Sequence, residues 1–106
     1  MDLNNLVKKK QLSFYIELPF LKRFLRVLDD QQITGYTVFQ AIAGSGTSGA
    51  WRTDSLSSDA GRICLIQIIL DDELLPKVLN VMEDVLRGQA DMISISEVMC
   101  AASSED

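Results

Sequence analysis

The sequence predicts an α+β fold of the ferredoxin-like kind: βαββαβ, with one four-stranded antiparallel sheet and two helices on one of its faces. Three observations predict it. Short stretches that alternate apolar and polar residues with period two bracket two stretches whose apolar residues recur at helical spacing. Each helical stretch carries a proline at or near its first turn, where no N–H is missed. One strand is apolar on both of its alternating sides, which marks a strand central to a sheet and buried on two faces.

The elements follow in order. After a polar arm over residues 1–10 that ends in Lys8-Lys9-Lys10, Leu12, Phe14, Ile16 and Leu18 alternate on one side of a first strand. Pro19 opens a first helix over about 19–32, with Leu21, Phe24, Leu25 and Leu28 forming its apolar stripe. Gly35 is the natural break, and the β-branched and aromatic run from Tyr36 to Ile42 is the second strand. Ile63 to Leu70 is the third strand, apolar on both sides and therefore central. Asp71-Asp72-Glu73 supplies acids for a positive helix end, where capping is preferred to a metal or acid–base role because consecutive residues point apart. Leu74, Leu75, Val78, Leu79, Met82, Val85 and Leu86 form the second helical stripe, Gly88 closes that helix, and Met92 to Met99 is the last strand before a polar tail over 101–106.

Between the second and third strands, residues 44–61 change character to a Gly/Ser/Thr-rich run holding Trp51 and Arg52. A structureless stretch of this length inside a small domain points to a functional or a disordered loop. Two helices cover only one face of the sheet, so the second apolar side of the third strand requires a partner surface, which a symmetric oligomer supplies.

Composition narrows the function. With 106 residues, 47% of them hydrophobic, the chain forms one domain with a modest core. A formal charge of -5 repels phosphate backbones, so nucleic acid is not an expected partner. No apolar run approaches the roughly 20 residues of a membrane span, and the start, Met1-Asp2-Leu3-Asn4-Asn5, has no signal core, so a cytoplasmic protein is expected. The absence of histidine excludes His triads, His bases and His metal ligands, and neither catalytic nor metal-binding residues are expected. Cys64 and Cys100 form no Cys-x-x-Cys pair and are expected to be free thiols, on strands that flank the first strand in the sheet order 4-1-3-2.

Two motifs carry a resemblance. Ile33-Thr34-Gly35-Tyr36-Thr37-Val38, followed by a Gly-x-Gly start to a long loop, resembles the second-strand signature of the PII signalling proteins, in which Ile-Thr-Gly-x-Thr-Val leads into the T-loop. Ile66-Gln67-Ile68-Ile69-Leu70-Asp71-Asp72-Glu73-Leu74 is similar to that family's third strand and the Asp-Asp start of its second helix. The resemblance runs from about Lys10 to Met99 and implies a homotrimer with sheets facing inward and an adenine nucleotide in each cleft between neighbours.

Typical members follow the second helix with Thr-Gly-x-x-Gly-Asp-Gly-Lys. Here the run is Arg87-Gly88-Gln89-Ala90-Asp91; the paired arginines beyond the last strand and a tyrosine in the loop are also absent. The shorter loop and the Gly-Tyr-Thr-Val form are more similar to divergent PII-like proteins associated with carboxysomes or bicarbonate transport. That resemblance implies AMP or ADP rather than ATP, bicarbonate as a second small anion, and a transporter or carboxysome-related partner reached through loop 44–61.

By the same resemblance Gly35 and Thr37 contact the nucleotide base; Gly44, Gly46, Arg62, Arg87 and Gly88 are further nucleotide-binding candidates as the glycines and cations nearest the cleft, and Gly49, Trp51 and Arg52 form a candidate partner or anion loop. Each has a plainer reading beside it. Thr37 suits a strand and Gly35 a turn. Glycines 44, 46 and 49 admit close backbone approach to an anion but also make a linker. Guanidinium groups clasp phosphate or bicarbonate, yet surface arginines are commonly only solvated. Trp51 is an anchor for a partner, or packs back on its own subunit.

The leading function is a non-catalytic regulatory protein that senses adenine nucleotide and signals through loop 44–61. The alternatives are a small ferredoxin-like enzyme of acylphosphatase or cofactor-free oxygenase type, and a purely structural oligomerisation domain.

Overall fold

The computed structural model describes residues 3–46, 49–52, 62–87 and 90–101. In chain order its strands are β1 (Leu6–Glu17), β2 (Tyr36–Gln40), β3 (Ala43–Gly46), β4 (Gly49–Arg52), β5 (Ile63–Leu70) and β6 (Ala90–Ala101). Four of them form the main sheet in the order β2-β5-β1-β6, every neighbouring pair antiparallel. This is the expected order, with β5 between β2 and β1. Helices α1 (Leu21–Asp30) and α2 (Leu75–Leu86) are each preceded by a single 3-10 turn, Leu18–Phe20 and Asp72–Leu74. The prolines explain where the helices begin: Pro19 lies in the first turn and Pro76 at the start of α2, where N–H groups lack helical acceptors anyway.

The core forms where the period-two face of the sheet meets the two helical stripes. Leu12, Phe14 and Ile16 of β1 and Cys64, Ile66, Ile68 and Leu70 of β5 are buried with Phe24 and Leu28 of α1 and Val78 and Met82 of α2. Phe14 and Phe24 meet with ring centroids 5.2 Å apart at 57°, a tilted aromatic pair at the centre of that layer.

Three expectations are corrected. The polar arm over 1–10 gives way to strand from Leu6, because β6 pairs with it as far as Leu6 opposite Ala101. Its lysines meet acids: Lys8 Nζ lies 3.4 Å from Glu97 Oε1, Lys9 Nζ 3.3 Å from Asp71 Oδ1, and Lys10 Nζ 3.5 Å from both Asp72 Oδ1 and Glu97 Oε2. For the same reason Asp71 makes no side-chain cap; its carboxylate turns to Lys9, while its carbonyl accepts the Leu74 N–H at 2.9 Å. The last strand, correspondingly, reaches Ala101, so the tail begins one residue later than expected; residues 102–106 lie outside the described residues.

The second correction concerns the end of α1. Gln32, not Gly35, stops the helix: it has φ 58, its N–H donates to Asp29 at 3.0 Å, and the Ile33 N–H donates to Leu28 at 2.9 Å. That is the paired closure of a left-handed helix end, with Ile33 and Leu28 both in the core. Gly35 does something separate. At φ 78 its carbonyl accepts the Ile69 N–H at 3.4 Å and brings β2 alongside β5. The role expected of Gly88 as helix stop lies outside the described residues.

The third correction is the loop over 44–61. Its described part is a β-ribbon, β3 paired antiparallel with β4 and hydrogen-bonded to no strand of the main sheet. β3 is four residues of alanine, glycine and serine, and neither strand of the ribbon carries an apolar period, so periodicity holds no signal for it.

Candidate functional site

The topology gathers most of the expected site residues at one end of the sheet. β2 ends at Gln40 opposite Cys64, and the Ala41 N–H donates to the Ile63 carbonyl at 2.9 Å, so the chain leaves the main sheet beside the start of β5 and runs into the ribbon that carries Gly44 and Gly46. The Arg62 carbonyl accepts the Leu18 N–H at 2.8 Å, which fixes Arg62 at the end of β1. There Ile16 pairs with Ala90, the first residue of β6, three positions beyond Arg87 at the end of α2. Arg62 and Arg87 thus stand at the rim from which the ribbon carrying Gly44 and Gly46 departs. Gly88 lies outside the described residues.

In the ribbon, Gly44 stands opposite Trp51, Ala43 opposite Arg52, and Gly46 opposite Gly49. Opposed glycines at the tip leave the backbone N–H groups approachable, which suits an anionic ligand or a partner's main chain. Arg62 is half-buried, and Arg87 is exposed beside a shallow groove of about 440 Å³ shared with Leu79, Asn80, Glu83 and Ile93. Both arginines already engage the protein, so a ligand would compete for or extend those contacts.

Two expected residues lie elsewhere. Gly35 is at the opposite rim, separated from Gly44 by the whole of β2, and lines a cleft beside Gln32, Leu70 and Lys77. A Cβ built on Gly35 would stand 3.2 Å from the Ile69 carbonyl oxygen, so backbone geometry alone accounts for the glycine. Thr37 sits in the edge strand β2, exposed, opposite Gln67 on the face that the helices leave uncovered.

That uncovered face has a banded pattern that the sequence could show only once the register was known. Phe39 of β2, Leu65 of β5, Tyr15 of β1 and Met92 of β6 stand in one row across all four strands. Thr37, Gln67, Ser13 and Ser94 form the next row, which is polar. Phe39 and Met92, on the two edge strands, are 48% and 58% exposed. The apolar row is therefore only partly buried within one chain, with Tyr15 and Leu65 half-buried and the edge residues exposed.

Three titrating groups are displaced by their surroundings. The Tyr36 hydroxyl donates to Asp29 Oδ1 at 2.8 Å, and that bond, followed by desolvation and the carboxylate's charge, raises its pKa. Burial raises the Cys64 thiol, which makes it a poor nucleophile. The Lys8 hydrogen bond, then the charges of Lys10 and Lys8, hold Glu97 below the usual carboxylate range. Among the described residues no group of three or more Cys, Asp or Glu side chains is placed to hold a metal ion.

Comparison with known proteins gives a consistent result. The family model for nitrogen regulatory protein P-II matches residues 10–104. No curated protein sequence matches the chain. Among solved structures, CPII, a nitrogen regulatory PII-like protein of Thiomonas intermedia K12 with ADP, AMP and bicarbonate bound, matches with TM-score 0.73 at 17% identity over 91% of each chain. The apo form of CPII matches with TM-score 0.67 at 14% identity over 91% of this chain and 95% of that one. A protein of Thermus thermophilus classed as PII-like in signalling matches with TM-score 0.69 at 18% identity, over 91% of this chain and 92% of that one. At these identities the likeness is one of fold.

Proposed function

The chain belongs to the P-II family of nitrogen regulatory proteins, and from that premise we propose that it is a non-catalytic, homotrimeric sensor of adenine nucleotide. ADP and AMP are its ligands and bicarbonate a second small anion, in clefts between neighbouring subunits. It signals to a partner through the segment 44–61, and a bicarbonate transporter or carboxysome-related protein fits that role.

One observation carries this reading: Arg62 and Arg87, distant in sequence, stand at the rim from which the glycine-rich ribbon carrying Gly44 and Gly46 departs. Glycine backbone and guanidinium groups are what a phosphate or bicarbonate needs, N–H groups at close range and paired charged donors. The short run from Arg87 to Asp91 offers fewer anion donors than a Gly-Asp-Gly-Lys loop would, which favours ligands of low phosphate content. The apolar row Phe39, Leu65, Tyr15 and Met92 supplies the reason to assemble, because sheets turned inward would bury it. Ligand binding then acts on signalling by favouring one state of the ribbon over another.

Titration calorimetry with AMP, ADP, ATP and adenosine, each with and without bicarbonate, tests the reading. ADP or AMP should bind more tightly than ATP. Arg62→Ala should weaken ADP by about ten- to hundred-fold, since a charge-assisted bond contributes about 1.5–3 kcal/mol, while adenosine binding should change little. Equal weakening of ADP and adenosine would remove Arg62 from the phosphate site. No heat with any nucleotide, from a protein that still scatters light as a trimer, would favour a structural oligomerisation domain instead.

A further inference from the structure

At the rim opposite the ribbon, β5 stops at Leu70 opposite Lys10 while β1 and β6 run on together to Leu6 and Ala101. The notch left beside β1 is walled by the turn between α1 and β2 and by the first turn of α2. It is a cleft of about 240 Å³, smaller than the roughly 300–1,000 Å³ of sites for drug-sized ligands. Its ligand is therefore metabolite-sized.

The lining is divided by chemistry. Ile33, Leu70 and Val78 are core residues that also face this space, and Leu74 lines it while 44% exposed. Gln32, Thr34, Lys9 and Lys77 supply the polar part. Asp71 is the single acid in the lining, and its Oδ1 lies 3.3 Å from Lys9 Nζ. Lys77 has no ion-pair partner among the described residues, so the cleft carries a net positive charge.

Gln32 is an independent pointer to the same place. The backbone at its position needs the left-handed conformation, φ 58, and glycine meets that need with least strain. A glutamine stands there instead and lines the cleft. Strained residues of this kind concentrate where their side chains are used.

We propose that this cleft binds a small amphipathic carboxylate, its apolar body against Ile33, Leu70, Leu74 and Val78 and its charged end toward Lys77, Lys9 and the Gln32 amide. The site is at the other end of the sheet from Gly44 and Arg62, and Gly35 is the one residue of its lining that was also expected to bind nucleotide. A net positive, half-apolar cleft selects for both halves of such a molecule: a bare anion finds no use for the floor, and an uncharged analogue forgoes the charge-assisted bond to the exposed Lys77.

Amide NMR titration of the full chain with 4-methylpentanoate tests this, with 4-methylpentanamide and acetate as the probes lacking one half each. Saturable shifts are expected at Ile33–Gly35 and Leu70–Leu74, with the amide and acetate at least ten-fold weaker. Lys77→Ala should weaken 4-methylpentanoate at least five-fold. Gln32→Gly should weaken it too while holding or raising the melting temperature, a combination that a merely structural Gln32 would not give. No saturable shift, equal binding of the amide, or unchanged affinity in both variants would overturn the proposal. ADP binding is measured on the same samples, so failure here is separable from failure of the nucleotide reading.

Discussion

Gln32→Gly and Gly35→Ala should move stability in opposite directions, although they lie three residues apart in one turn. Both positions are left-handed, with φ 58 at Gln32 and 78 at Gly35. That conformation costs a residue with a Cβ about 1–2 kcal/mol. Glycine relieves it at Gln32 but adds about 0.5–1 kcal/mol of unfolded-chain entropy, leaving a net gain of about 0.5–1 kcal/mol. At Gly35 the same penalty is introduced, and the new Cβ stands 3.2 Å from the Ile69 carbonyl oxygen, a contact tighter than ordinary packing. Moving that peptide away strains the Ile69 N–H bond to the Gly35 carbonyl, already 3.4 Å long. Alanine returns about 0.4–1 kcal/mol through the unfolded state, so the net loss is about 1–2 kcal/mol. Thermal and urea unfolding at one fixed protein concentration measure both, the fixed concentration holding any assembly constant. For a domain of this size each kcal/mol shifts the midpoint by about 4–8 °C. If Gln32→Gly destabilised as much as Gly35→Ala, the left-handed closure of α1 at Gln32 would be refuted.

Other perturbations have equally definite signs. Phe14→Ala should lower stability by about 3–5 kcal/mol in urea unfolding, because Phe14 is fully buried and loses its tilted contact with Phe24. Glu97 is held below its ordinary value of 4.5, so the stability it brings is complete above that pH and fades as pH falls through its lower folded value. In a pH series of melting temperatures, Glu97→Gln should remove that part of the acid decline and leave the rest. Both thiols should titrate once the protein is unfolded, with Cys100 reacting before the buried Cys64 in the native state. They pair with Val7 and Ile16 of β1, nine positions apart along one strand, or about 30 Å at 3.3 Å per residue. An intrachain disulfide would contradict the strand order.

The core was legible because it is written in periods. The alternation of Leu12, Phe14 and Ile16 and the two-sided character of Ile63 to Leu70 fixed the faces, and the stripes through Phe24 and Leu28 and through Val78 and Met82 placed the helices against one of them. What periodicity cannot show was missed. Lys8 to Lys10 read as a solvated arm because their counter-charges, Asp71, Asp72 and Glu97, are at least 61 positions away in sequence. The ribbon of β3 and β4 was invisible because neither of its four-residue strands carries an apolar period. Gln32 carries no sequence mark of a left-handed residue. Among the site residues, Arg62 and Arg87 were singled out as cations near the expected cleft, and they stand at the rim from which the ribbon carrying Gly44 and Gly46 departs. The resemblance set Gly35 and Thr37 at the nucleotide base, and the five residues of β2 run from Gly35 toward the ribbon end.

The most direct test of the account is hydrogen exchange at Ala43–Gly46 and Gly49–Arg52 with and without saturating ADP. A two-stranded ribbon is marginally stable by itself, and among the described residues this one is hydrogen-bonded to no strand of the main sheet, so its amides should exchange fast in the free protein. ADP should slow them markedly. Gly46→Val should abolish that slowing by blocking close backbone approach, while leaving the assembly mass unchanged because the position lies outside the main sheet. Identical exchange in the ribbon with and without ADP, in samples where calorimetry shows ADP bound, would contradict the claim that this segment carries the signal.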